Sequence, residues 1–166
     1  FESKVTEKIV GIEGEIRIQG KNISERTIND LKGLQGINQL MPFISGRGVA
    51  INEDMETAVV RIKAVMVDSI LQFYSIGNVT HIDNIYNEKD HQIFIGEMLS
   101  EKLQLDLGDE ISFTNPQTMR LPIGFPLQVK GIVAGIFSSK VLDYDERLVF
   151  IPLTMGKNLF STLHQY

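Results

Sequence analysis

Residues 127–153 read Leu-Gln-Val-Lys-Gly-Ile-Val-Ala-Gly-Ile-Phe-Ser-Ser-Lys-Val-Leu-Asp-Tyr-Asp-Glu-Arg-Leu-Val-Phe-Ile-Pro-Leu. Leu127, Val129, Ile132, Val133, Ile136 and Phe137 supply the β-branched and aromatic side chains of a long strand. Gly131 and Gly135 break its alternation, which predicts a bulge or a close backbone approach at each. The polar residues 138–147 turn the chain. Residues 148–151 are the returning strand, stopped by Pro152. Two core strands thus carry a polar tip, and a proline-rich loop, residues 115–126, leads into the first.

Working outward, the chain alternates short strands and short helices. Phe1, Val5 and Ile9 form one apolar stripe, which predicts a short helix over residues 1–10. Residues 15–19 alternate as a half-buried strand does. Ser24, or Thr27, caps a helix carrying Ile28, Leu31 and Leu34, closed by Gly33 and Gly36. A second strand region covers 37–51, interrupted by Pro42 and by the Ser-Gly-Arg-Gly of 45–48, and residues 49–66 predict a hairpin. A short helix starts at Asp68-Ser69 and runs through Tyr74, and residues 75–90 are irregular. A strand over 92–95, a helix over 97–105, a tight turn at 107–110 and a strand from Ile111 follow. A closing helix at 154–160 packs Leu159 and Phe160 inward.

The 166 residues suffice for one ordinary domain or two small subdomains, and 43% hydrophobic with 22% charged residues is a globular composition. A net charge of −5 without a lysine or arginine run argues against a nucleic-acid partner. The chain has no cysteine, which excludes disulfides and thiolate metal sites. No apolar run reaches the ~20 residues of a membrane span. Phe1 is not an initiator methionine, so the chain is expected to be a processed or excised piece.

No catalytic constellation emerges. The Ser-Gly-Arg-Gly stretch lacks the Lys-Ser/Thr of a phosphate loop and is read as a turn or bulge within a hairpin. His81, His91 and His164 have no metal spacing, and Asp83, Glu88 and Asp90 match no calcium loop. The carboxylates of residues 143–146 sit in a turn, where aspartate bonds the local backbone. The proline-rich loop is the candidate site. It holds Pro116, Pro122 and Pro126 beside Met119, Leu121, Ile123 and Phe125. Proline lowers the entropy lost when a loop orders against a partner. Such a loop either projects as a binding tip or folds back over the core.

Four stretches, in order, resemble the extracytoplasmic core of lipoprotein-releasing ABC transporter permeases, within a wider family that includes macrolide-exporter and cell-division permeases. These are residues 1–18, residues 37–48 with Pro-Phe-Ile-Ser-Gly, residues 95–111 with Ile-Gly-Glu-Met-Leu-Ser-Glu-Lys-Leu, and the Gly-Ile-Phe, Asp-Tyr-Asp and Leu-Val-Phe-Ile-Pro-Leu of 127–153. The resemblance implies an α+β fold: a βαβ-type membrane-proximal subdomain (1–66) with an inserted small mixed β-rich subdomain (67–166). It implies a domain on the periplasmic face of the inner membrane, in a membrane-embedded parent that continues past Tyr166. Such a domain has no catalytic residues and no cofactor. ATP hydrolysis falls to a separate cytoplasmic ABC ATPase subunit, and a second permease copy completes the assembly.

In the lipoprotein-releasing branch a proline-bounded hook captures a periplasmic lipoprotein carrier. Pro116 and Pro126 fall where that hook begins and ends. The partner-binding residues implied are Pro116, Met119, Leu121, Pro122, Ile123, Phe125, Pro126 and, in the adjoining pad, Gln128. Ser112 and Val129 stand where the pad carries basic residues, and the hook is slightly shorter. The alternatives are an exporter or cell-division permease gripping an adaptor or cell-wall hydrolase, and a small soluble enzyme.

Overall fold

The computed structural model describes residues 16–18, 20, 23–37, 39–70, 74, 76–81, 91–116 and 127–160. In chain order the elements are α1 (Glu25–Lys32), β1 (Ile44–Ile51), β2 (Thr57–Val65), a 3-10 turn (Val67–Ser69), β3 (Asn78–His81), β4 (Gln92–Gly96), α2 (Glu97–Lys102), β5 (Glu110–Thr114), β6 (Gln128–Ser138), α3 (Leu142–Arg147), β7 (Leu148–Pro152) and α4 (Leu153–Phe160). This is a mixed α+β fold, as expected. The expected helix over 1–10 lies outside the described residues, and residues 16–18 do not join the sheet.

The strands run β3-β6-β4-β7-β2-β1-β5, and β5 also bonds β6. Six of them therefore close on themselves as a barrel, in which β2–β7 and β4–β6 are the parallel pairs. Closure is possible because β6 is long. Its first half, from Gln128 to Ile132, pairs with β5, and its last residues, Gly135 to Ser138, pair with β3. Its opposite edge pairs with β4. A closed sheet leaves no row of unpaired backbone groups among the barrel strands.

Two cores follow from the two faces. Ala50, Ile62, Ile93, Ile95, Ile111, Phe113, Val149 and Ile151 fill the barrel, with Leu99 and Leu103 of α2 and Met155, Leu159 and Phe160 of α4. Outside, Phe94, Leu148 and Phe150 pack with Ile70, Tyr74, Ile76, Phe137 and Tyr144. The Phe150 ring lies 5.0 Å from Tyr74 and 5.8 Å from Phe137. Both faces of β7 are buried, so it reads as a continuous apolar run and not as an alternation.

The glycines of β6 behave as predicted. The register against β4 shifts between Ile93↔Val133 and Phe94↔Gly135, so Ala134 is the extra residue of a bulge. A Cβ on Gly135 would lie 2.4 Å from the Phe94 ring, and one on Gly131 2.6 Å from the His91 carbonyl.

The returning strand β7 runs antiparallel to β6, with β4 between them. Two expectations are corrected. The polar tip contains a short helix, α3, held by the buried Asp145, whose carboxylate accepts from Ser139 N (2.7 Å), Ser139 Oγ (2.7 Å) and Lys140 N (3.0 Å). Local backbone bonding by an aspartate was foreseen; the helix it anchors was not. The Ser-Gly-Arg-Gly of 45–48 is neither turn nor bulge. The β1–β2 register runs unbroken through it, and a Cβ on Gly46 would meet the Phe160 ring at 2.4 Å. Across the sheet, β1 and β2 also bond β5 and β7, so strands on either side of residue 66 share one barrel. Local periodicity identifies that hairpin but carries no information on its distant partners.

Gly156 decides between two opposed effects. Alanine is favoured over glycine inside a helix by about 1 kcal/mol, but the added Cβ would lie 2.1 Å from Ala64 Cβ on β2. Overpacking against such a fixed neighbour costs about 1–3 kcal/mol. Gly156→Ala is therefore expected to lower the urea midpoint without changing the slope of the transition.

Candidate functional site

The loop singled out above is the connection of an antiparallel hairpin. Its stem runs from Glu110↔Ile132 to Thr114↔Gln128, so Pro116 and Gln128 sit at its two feet. Alternation sends Ile111 and Phe113 into the barrel, where both are fully buried. Gln128 is exposed. Met119, Leu121, Pro122, Ile123, Phe125 and Pro126 lie outside the described residues.

Three features fix the stem. β5 bonds β1 on its other side, through Val49↔Thr114, Ala50↔Phe113 and Ile51↔Ser112. Lys130 Nζ lies 2.6 Å from Glu110 Oε1 across the strands, with both groups solvent-exposed. The hydrogen bond to Glu110, then its charge, raises the Lys130 ammonium above the ordinary lysine value. A raised lysine stabilises the fold below its unfolded value and ceases to do so as pH rises through the folded one, so this tie is intact at neutral pH. An exposed pair of this kind is a minor contributor.

The third feature is Asn115, which is 1% exposed. Its side-chain amide donates to the Leu159 carbonyl (3.2 Å) in the last turn of α4. The final carbonyls of a helix have no partner within it. Asn115 supplies one from the foot of the loop and couples the loop to the helix covering that end of the barrel. Sequence reading placed Asn115 in the loop but not in this role. Asparagine before proline is an ordinary turn signal, and the distant carbonyl leaves no local mark.

The pad positions separate sharply. Gln128 faces solvent, Ser112 is 7% exposed, and Val129 packs against the barrel core. The acidic run of 143–146 presents no acid/base pair. Asp145 is committed to Ser139 and Lys140, and Asp143 lies 3.2 Å from Arg61 Nη2. Among the described residues no three histidine or carboxylate groups cluster to hold a metal, and no helix is long and apolar enough to cross a membrane.

Asn115→Ala removes a buried donor and leaves the Leu159 carbonyl short of a partner. The expected loss is about 1–3 kcal/mol, measurable by urea denaturation. Amide exchange should quicken in the last turn of α4 before it does in β4 or β7.

Compared by sequence, the chain matches no protein-family model and no curated protein. Compared by structure, it is similar to a number of solved domains, including two extracytoplasmic ones. One is the extracellular domain of the noncanonic ABC-type transporter YknZ from Gram-positive bacteria, at TM-score 0.53 and 16% identity, covering 86% of this chain and 69% of that one. The other is the periplasmic region of MacB from Actinobacillus actinomycetemcomitans, at TM-score 0.55 and 13% identity, covering 95% of this chain and 74% of that one. The α+β fold of this chain is thus one it shares with extracytoplasmic domains of ABC-type transporters.

Proposed function

We propose that this chain is the extracytoplasmic domain of an ABC transporter permease, carried on the periplasmic side of the inner membrane. In this reading a cytoplasmic ATPase subunit hydrolyses ATP, and membrane helices of two permease copies transmit the resulting motion to the domain. The domain uses that motion in lipoprotein release and hand-over to a periplasmic carrier, and performs no chemistry itself. The observation that supports it most is the fold similarity over nearly the whole chain to the periplasmic region of MacB. The arrangement fits the task. A closed barrel with two cores moves as a rigid body, and a loop on a clamped hairpin stem turns rigid motion into a grip or a release. This reading divides the domain into a membrane-proximal subdomain (1–66) and an inserted β-rich subdomain (67–166), which share the barrel through the bonds of β1 and β2 to β5 and β7.

The partner-binding residues proposed are Pro116, Met119, Leu121, Pro122, Ile123, Phe125, Pro126 and Gln128. Stiff apolar side chains on a short loop lose little entropy on docking and suit an apolar cleft. One observation favours a second reading, in which the loop grips a transport adaptor or cell-wall hydrolase. Of the three pad positions only Gln128 is exposed and none is basic, so these positions do not supply the charge a carrier-binding pad would use.

Replacing residues 117–126 with a short Gly/Ser turn tests the loop. Thermal unfolding should be unchanged, because the stem and Asn115 remain. Capture of a purified periplasmic lipoprotein carrier should be lost. Capture that survives the replacement overturns the loop assignment. Loop-dependent capture of an adaptor but not of a carrier transfers the site to the second reading.

A further inference from the structure

The outward face of the β1–β2 hairpin carries a feature that the loop does not explain. Arg47 and Arg61 are direct cross-strand partners, and like charges so placed are destabilising. The next outward pair is Val49↔Val59, and Val59 is 69% exposed in mid-strand. A groove of about 470 Å³ opens over it, lined by Val49, Thr57, Ala58, Val59, Lys102 and Arg147. That volume is within the range of ~300–1,000 Å³ for ligand clefts. Its floor is aliphatic, and its walls are the last turns of α2 and α3.

Around this groove Arg47, Arg61, Lys102 and Arg147 outnumber the carboxylates Asp143 and Glu146, on a protein of net charge −5. Asp143 holds Arg61 at 3.2 Å and Arg147 at 4.0 Å, and Glu146 lies 3.6 Å from Arg147. Among the described residues no carboxylate pairs with Arg47 or Lys102. A place at a helix C-terminus accounts for Lys102 and Arg147, since cations there complement the helix dipole. It does not account for Arg47 opposite Arg61, nor for a valine pair whose Val59 is exposed between the cations.

We propose that this groove docks an extended acidic segment of a partner protein, with an aliphatic side chain on Val49 and Val59 and flanking carboxylates on Arg47 and Lys102. An extended chain turns alternate side chains to opposite sides, so one aliphatic residue reaches the floor while its acidic neighbours splay to the rims. The charge complementarity is local, because the chain as a whole carries a net charge of −5, which disfavours an acidic segment. The site is independent of the 117–126 loop and of the permease reading.

The test uses the 166-residue chain and a fluorescein-labelled decapeptide alternating glutamate with leucine and valine, followed by anisotropy. A peptide with lysine in place of glutamate is the control. The acidic peptide should bind, and binding should weaken at least tenfold in Arg47→Glu/Lys102→Glu and in Val59→Asp. The milder Arg47→Gln/Lys102→Gln, with an unchanged circular dichroism melt, should weaken binding at least threefold, which separates lost charge from lost fold. No binding at millimolar peptide overturns the proposal, as does equal binding of the lysine peptide. Charge-dependent binding to phosphatidylglycerol vesicles without peptide binding overturns it in favour of a membrane surface.

Discussion

The structure depends on one strand having three neighbours. β6 bonds β4 along one edge, and divides its other edge between β5 and β3. Without the β5–β6 pairing the six strands would form an open sheet with two bare edges; with it they close. Closure requires a strand that bends between its two halves, and the Ala134 bulge beside Gly135 lies between the stretch paired to β5 and the stretch paired to β3. The Phe94 ring occupies the space that a side chain on Gly135 would fill. The bend, the close contact and the barrel are thus three consequences of the same few residues.

Closure also determines where binding surfaces lie. Inward side chains are consumed by the barrel core, and the outward faces of β4 and β7 by the second core under Tyr74, Ile76 and Tyr144. The outward face of β1–β2 stays partly open, which is why Val59 and Arg47 are exposed there. At the hairpin end, the buried Asn115 side chain ties the end of β5 to the Leu159 carbonyl in the last turn of α4, where helix carbonyls have no partner within the helix.

The stem of the candidate loop was legible because it is local. Prolines mark the loop ends, and alternation in Ile111, Phe113 and Val129 gives the stem its inward face. Its limits were equally physical. Periodicity says that Ser112 and Val129 lie on opposite faces, but not that both end up shielded. Ser112 is buried although it faces away from the barrel core, and only the assembled surface reveals that. Arg47 opposite Arg61 needs the register of two strands, which no single stretch contains.

The sequence by itself determined many of the elements, though neither β3 nor α3. Ser24 as a cap, Gly108 in a left-handed turn, Leu99 and Leu103 on one helix face, and the β-branched run of β6 all act within a few residues of their cause. Only the tertiary structure decided the strand order, the insertion of β4 between β6 and β7, the barrel, and the glycines of β1 as room for Phe160 at Gly46 and for Ile62 at Gly48. The reason is range. Propensity, capping and alternation are set by neighbours along the chain, whereas pairing and close packing are set by residues that meet only when distant segments share a core.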